Sequence, residues 1–311
     1  MAATIVIVCT AAIAGATYEL ICEHNDARRF PQEGRSVDVG GFRLNIHCTG
    51  TGAPPVILDS GLGIPAMGWD LVQPGVQKFT QVCSYDRAGY GWSEPGRTPR
   101  TSREIAKELH RLLQNAGLRP PFILVGHSFG GFNVRVFNGL YPDEVAGMVL
   151  VDSSHADQRI PTPSQAAAER REDEETRMFA RVYPVLFHLG VARFFLATDR
   201  TPLPEHMDAG LRYLLLKPPH VQAMIGEELA SAESAEQVRE SGNLGDKPLV
   251  VLTAGIGHTP ASVELEQELT RLSTDSQQIV VHNSGHLIPF EQPQAVVGAI
   301  RSVFDICPHS R

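Results

Sequence analysis

Residues 124–131 read LVGHSFGG, which sets a serine between glycines directly after an apolar run. A serine hydroxyl is a weak nucleophile, so the chemistry it could do depends on a base delivered from elsewhere in the chain. Gly126-His-Ser-Phe-Gly130 fits the pattern G-x-S-x-G, a strand-to-helix turn so tight that the serine is strained and its hydroxyl stands clear of the sheet edge. The Phe129 N–H then lies at a helix amino terminus, aimed at an oxyanion formed when Ser128 attacks a carbonyl. Of the 12 histidines, His286 suits the base, because NSGHLIPFEQP (283–293) sets it between the last strand and the last helix. His127 lies inside the elbow and points elsewhere, and His24, His110 and His282 need only packing or exposure. A second oxyanion donor is expected from Ser60-Gly61-Leu62-Gly63, where flanking glycines let the Leu62 N–H turn inward.

These residues need elements to carry them. Strands are predicted at 36–50 (two, around Gly40-Gly41), 54–61, 80–86, 121–125, 146–152, 248–255 and 278–285. Helices are predicted after the capping box Thr101–Glu104, over 130–141, over 262–273 and from about Pro293 to Phe304. Strand and helix alternate, so the sheet is expected to be mostly parallel with helices on both faces. About 95 residues between Asp152 and Pro248 differ in character. Two helical stretches there are broken by Pro161, Pro163, Pro202, Pro204, Pro218 and Pro219. A structureless loop of that length is improbable, so an inserted helical cap is expected.

Taken together, DSGLG (59–63), SYDRAGYGWSEPG (84–96), LVGHSFGG and SGHLIPFEQP (284–293) resemble the motifs of the α/β-hydrolase superfamily, in the family's order. The resemblance covers about residues 36–306 and implies an α/β fold with a mostly parallel eight-stranded sheet. It assigns 36–152 and 248–306 to the core and 153–247 to a helical cap. It also implies acyl transfer by a serine hydrolase on a small carboxylic ester, with no cofactor and no metal. Asp86 and Arg87 are expected to brace loops. The acid departs from the common pattern, since Thr253–His258 offers no carboxylate before Glu264. Asp152, ending the sixth predicted strand, stands where some relatives carry the triad acid. Its other role would be to cap the turn into the insertion.

The chain's 311 residues carry 27 Lys and Arg against 35 Asp and Glu, and no basic block, which argues against a nucleic-acid partner. The five scattered cysteines are expected to be free, mostly buried thiols. Residues 2–16 are uncharged but shorter than the roughly 20 apolar residues of a comfortable membrane span. Segment 1–22 is therefore expected to anchor or export the chain. A helix packed on the domain, in a cytoplasmic protein, is the alternative. Alternatives to the esterase are an aminopeptidase, with REDEET (171–176) holding the amine, a C–C bond hydrolase, or a receptor that keeps the triad and pocket as a ligand site.

Overall fold

A computed structural model describes residues 1–158, 165–196, 203–257 and 259–307. Eight strands form one sheet: β1 (Arg35–Asp38), β2 (Arg43–Thr49), β3 (Val56–Asp59), β4 (Val82–Tyr85), β5 (Phe122–His127), β6 (Val145–Val151), β7 (Leu249–Ala254) and β8 (Ser276–Val281). Their order is β1-β2-β4-β3-β5-β6-β7-β8, antiparallel at β1–β2–β4 and parallel from β4 onward. This is the expected α/β-hydrolase architecture.

The central strands are buried along their whole length, as strands covered on both faces must be. Their side chains divide by the two-residue period. Phe122 and Leu124 of β5 join Leu150 and Val251 in one core. It is closed by α3 (Ser102–Asn115), α4 (Gly130–Leu140) and α9 (Ser231–Glu240), through Leu109, Leu112, Phe137 and Val238. Ile123 and Val125 turn to the other face, against α2 (Gln73–Val76) and Val296, Ile300 and Val303 of α12 (Pro293–Ile306).

Between β6 and β7 the described residues form α5 (Gln165–His188), α6 (Val191–Leu196), α7 (Glu205–Leu216), α8 (Pro218–Leu229) and α9, joined by turns and irregular chain. Pro204 caps α7 and Pro218-Pro219 open α8, where missing N–H groups cost nothing. Pro161, Pro163 and Pro202 lie outside the described residues. Beyond β7 come α10 (Pro260–Glu268) and α11 (Ile288–Glu291).

The apolar amino terminus belongs to one helix, α1 (Ala2–Arg29), longer than the segment read from the sequence. It is the one helix among the described residues long and apolar enough to cross a membrane. One expectation is corrected. Cys48 and Cys83 form a disulfide, because the antiparallel register of β2 and β4 sets them directly opposite one another. Among the described residues Cys9, Cys22 and Cys307 stay free, and only Cys307 is buried.

Leu124 has no exposed surface. Leu124→Ala is expected to cost ~2–5 kcal/mol in urea unfolding, with unchanged secondary structure by circular dichroism.

Candidate active site

β5 and β6 pair in parallel as far as His127 opposite Val151, so the residue after each strand arrives at the same sheet edge. Those residues are Ser128 and Asp152, with φ of 51° and 40°, the two non-glycine residues of positive φ among those described. Such a backbone costs of order 1–3 kcal/mol per residue and persists only where its surroundings enforce it. At Ser128 they do. Its N–H donates to the Val151 carbonyl at 3.1 Å, and its carbonyl accepts from Gly131 and Ser154 at 3.0 Å each. The flanking glycines are required by space: a Cβ at Gly126 would lie 2.6 Å from the Gly130 carbonyl oxygen, and one at Gly130 would strike the Asp59 carbonyl.

His286 completes the group. Its Nδ1–H donates to Asp152 Oδ2 at 2.6 Å, and Ser128 Oγ–H donates to its Nε2 at 3.0 Å. Asp152 Oδ1 accepts from the Ala254 N–H at 2.8 Å, tying the buried carboxylate to the end of β7. Glu264, the nearest carboxylate by sequence beyond β7, is exposed on α10.

Two nearby side chains were not assigned to the site from sequence. His127 Nε2–H donates to the His286 carbonyl at 2.9 Å, bracing the histidine loop. Burial holds its imidazole down to about 4, so it stays neutral at physiological pH. Glu266 is buried on α10 within electrostatic reach of Asp152. Desolvation first, then the Asp152 charge, push its carboxyl up to about 9.

The loop after β3 runs alongside Ser128, since a Cβ at Gly61 would sit 3.2 Å from Ser128 Cβ. Its carbonyls are pulled the other way. Buried Arg87 donates to the Ser60 carbonyl at 2.6 Å and the Gly61 carbonyl at 2.9 Å. In a trans peptide the N–H points opposite to the C=O, so the Leu62 N–H is turned away from Arg87. Among the described residues neither Leu62 nor Phe129 N–H has a hydrogen-bond acceptor.

Arg87 is fixed by two carboxylates from distant parts of the chain: Asp59 at 2.8 Å, and Glu227 of α8, which accepts from Nε and Nη2 at 2.8 Å each. Tyr90 Oη–H donates to Glu227 at 2.7 Å and accepts the Gly63 N–H at 3.0 Å, while His220 Nε2–H donates to the Gly63 carbonyl at 2.9 Å. Asp86 accepts from Asn45 and from the Ala66 and Trp92 N–H groups. Asp86 and Arg87 thus brace loops, as expected. No group of three or more His, Cys, Asp or Glu side chains among the described residues could hold a metal ion.

Glu266 yields a prediction whose sign is opposite to ordinary acid denaturation. Folded, it keeps its proton up to about 9, whereas an exposed glutamate loses it near 4.5. Between these values the unfolded chain binds fewer protons, so this contribution to stability is full below pH 4.5 and is lost as pH rises to 9. Unfolding free energies from urea titrations between pH 7 and 9 are expected to fall less steeply in Glu266→Gln than in the parent, by up to about 1.4 kcal/mol per pH unit.

Comparison with known proteins agrees with this architecture. The α/β hydrolase family model matches residues 56–299. YbdG of Bacillus subtilis is 27% identical over 173 residues, 55% of this chain and 51% of YbdG, so the chain spans about half the length of that relative. The 2-hydroxymuconate semialdehyde hydrolase of a Pseudomonas species is 30% identical over 132 residues, 42% of this chain and 47% of that protein. The solved structure of a thermophilic esterase from Thermogutta terrifontis superposes with a TM-score of 0.67 at 24% identity, covering 88% of this chain and 98% of the other. With the family's motifs spread over a sheet of the family's topology, the chain belongs to the α/β hydrolase family.

Proposed function

We propose that the chain is a serine hydrolase that cleaves a small carboxylic ester through an acyl-enzyme. The observation that carries this is the unbroken hydrogen-bond chain from Ser128 Oγ through both nitrogens of His286 to Asp152. His286 Nε2 takes the hydroxyl proton as Oγ attacks the ester carbonyl carbon. Asp152 accepts from Nδ1–H, fixes the tautomer and stabilises the imidazolium. The Leu62 and Phe129 N–H groups receive the charge that develops on the carbonyl oxygen. The tetrahedral intermediate collapses, the alkoxide leaves with the proton from Nε2, and water repeats the sequence on the acyl-enzyme to release the acid.

In this reading 36–152 and 248–306 are the catalytic core, 153–247 is its cap, and the apolar part of α1 is a membrane anchor or export signal. The Cys48–Cys83 disulfide supports an oxidising compartment. An aminopeptidase is less well supported, because Glu172–Glu175 are exposed on α5. The buried Glu227 is already committed to Arg87. A C–C bond hydrolase is the second reading, favoured by the identity to the 2-hydroxymuconate semialdehyde hydrolase. Comparing kcat/KM on that compound and on short p-nitrophenyl esters separates the two. A receptor would give at most one slow acylation.

Ser128→Ala is expected to lower kcat on p-nitrophenyl acetate roughly a million-fold with the fold intact. Asp152→Asn is expected to lower it ~10⁴-fold, because the amide favours the wrong imidazole tautomer. Activity of Ser128→Ala within tenfold of the parent removes Ser128 as nucleophile. An Asp152→Asn variant that keeps its kcat and loses only stability makes Asp152 a turn cap.

A further inference from the structure

α1 changes character along its length. Residues 2–18 carry no charge and are mostly exposed, whereas Glu19 is buried and begins a charged stretch held to the rest of the chain by ion pairs. Arg193 of α6 donates to both oxygens of Glu19 at 3.0 and 2.9 Å and to Asp26 at 2.7 Å. Phe30, just past the helix, stacks on Tyr213 of α7. Docking begins earlier, however, inside the apolar part. Gly15 packs so closely on the Leu189 carbonyl that a Cβ there would strike it, and a Cβ at Gly190 would lie 3.0 Å from the Gly15 oxygen. Gly15 is roughly 4.5 Å along the helix from Tyr18, where the uncharged segment ends. If that segment lies in lipid, the α5–α6 corner at Leu189-Gly190 is held at the hydrocarbon boundary.

The surface of that corner suits the position. Met178, Val182 and Val185 follow one another up α5 at helical spacing toward Leu189, and all three are exposed, as is Phe179. Val185 is 58% exposed and Phe194 of α6 77% exposed, where a watery surroundings would favour polar residues. Arg177 and Arg181 flank the stripe in exposed positions, and cationic side chains beside an apolar stripe are the composition of a helix lying in a lipid interface. The acidic residues Glu172–Glu175 lie toward the other end of α5, Glu174 roughly 16 Å from Val185 along the axis.

The same insertion reaches the site. Tyr183 and Phe187 of α5 pack in one cluster with Val221 and Ile225 of α8, and Met224 of α8 sits against Gly63 of the loop beside Ser128. We propose that the α5–α6 corner is seated on the bilayer, with Val185 and Phe194 between headgroups and acyl chains, and that the ester hydrolysed at Ser128 is a lipid-soluble one taken from the membrane. This rests on the anchoring reading of α1 and specifies which face of the insertion meets the lipid.

Depth-dependent quenching tests it. Full-length Phe194→Trp, Val185→Trp, Val8→Trp and Glu174→Trp are reconstituted in phosphatidylcholine vesicles with or without brominated acyl chains, and the parent emission from Trp69 and Trp92 is subtracted. The expected result is blue-shifted emission and strong quenching at 194, 185 and 8, and neither at 174. Quenching at 8 with 194 and 185 behaving like 174 overturns the seating while leaving the anchor in place. Absence of quenching at all four positions overturns the anchor and the seating together. A second readout addresses the substrate. Val185→Asp is expected to lower turnover of a long-chain p-nitrophenyl ester in vesicles relative to turnover of soluble p-nitrophenyl acetate, and an unchanged ratio overturns the lipid-borne substrate.

Discussion

The site depends on one constraint, the parallel pairing of β5 and β6. Because both strands run the same way and are in register to their last residues, both chains must leave the sheet at the same edge. Each does so through a residue of positive φ, first Ser128 and then Asp152. Neither backbone is one that an isolated peptide would choose. Buried apolar strands on both sides hold the two turns in place, so packing energy in the cores is what keeps a hydroxyl and a carboxylate in unfavourable but useful positions. His286 needs no comparable strain. Its loop is tied down at several points: Glu291 accepts from the Gly285 N–H at 2.7 Å and from the Ser284 hydroxyl at 3.1 Å, and His127 holds the His286 carbonyl.

A second assembly holds the loop beside Ser128. Arg87 sits between Asp59 and Glu227 with essentially no exposure, and its remaining donors fix two carbonyls of the loop beside Ser128. Buried ion pairs add little net stability, but removing one partner leaves a buried charge uncompensated at a cost of roughly 3–5 kcal/mol. The assembly therefore acts as a specification: the loop has one arrangement, and α8 is bound to it. Tyr90 and His220 repeat the logic at Gly63, taking its N–H and its carbonyl in turn. The orientation of the Leu62 N–H is thus linked to the position of the insertion.

Much of this was legible in the sequence where it is local. Buried strands announce themselves as apolar runs, the elbow glycines have a steric cause visible in five residues, and Pro204 and Pro218-Pro219, read as breaks in helical stretches, stand where α7 and α8 begin. What stayed hidden is long-range. Nothing near Arg87 identifies Glu227 as its partner, because 140 residues separate them and only the fold joins them. The Cys48–Cys83 bond follows from register, which spacing alone does not give. His127 reads as a side chain pointing away from the serine, and its contact exists only because the histidine loop returns beside the elbow. Glu264 is the first carboxylate the sequence offers after β7, yet Glu266, two residues later on α10, is the one buried near Asp152, since helical phase and not sequence proximity decides which of them turns inward. For α1 the uncharged run is plain, but the pairing of Glu19 and Asp26 with Arg193 spans more than 160 residues and exists only through the fold.

Everything proposed for the site turns on Ser128 being a nucleophile made reactive by His286. The most direct measurement is covalent labelling with a fluorophosphonate, read by intact mass and by peptide mapping. One adduct per chain is expected on the peptide carrying Ser128, lost in Ser128→Ala and formed far more slowly in His286→Ala. An unlabelled native protein, or an adduct that persists in Ser128→Ala, would contradict it.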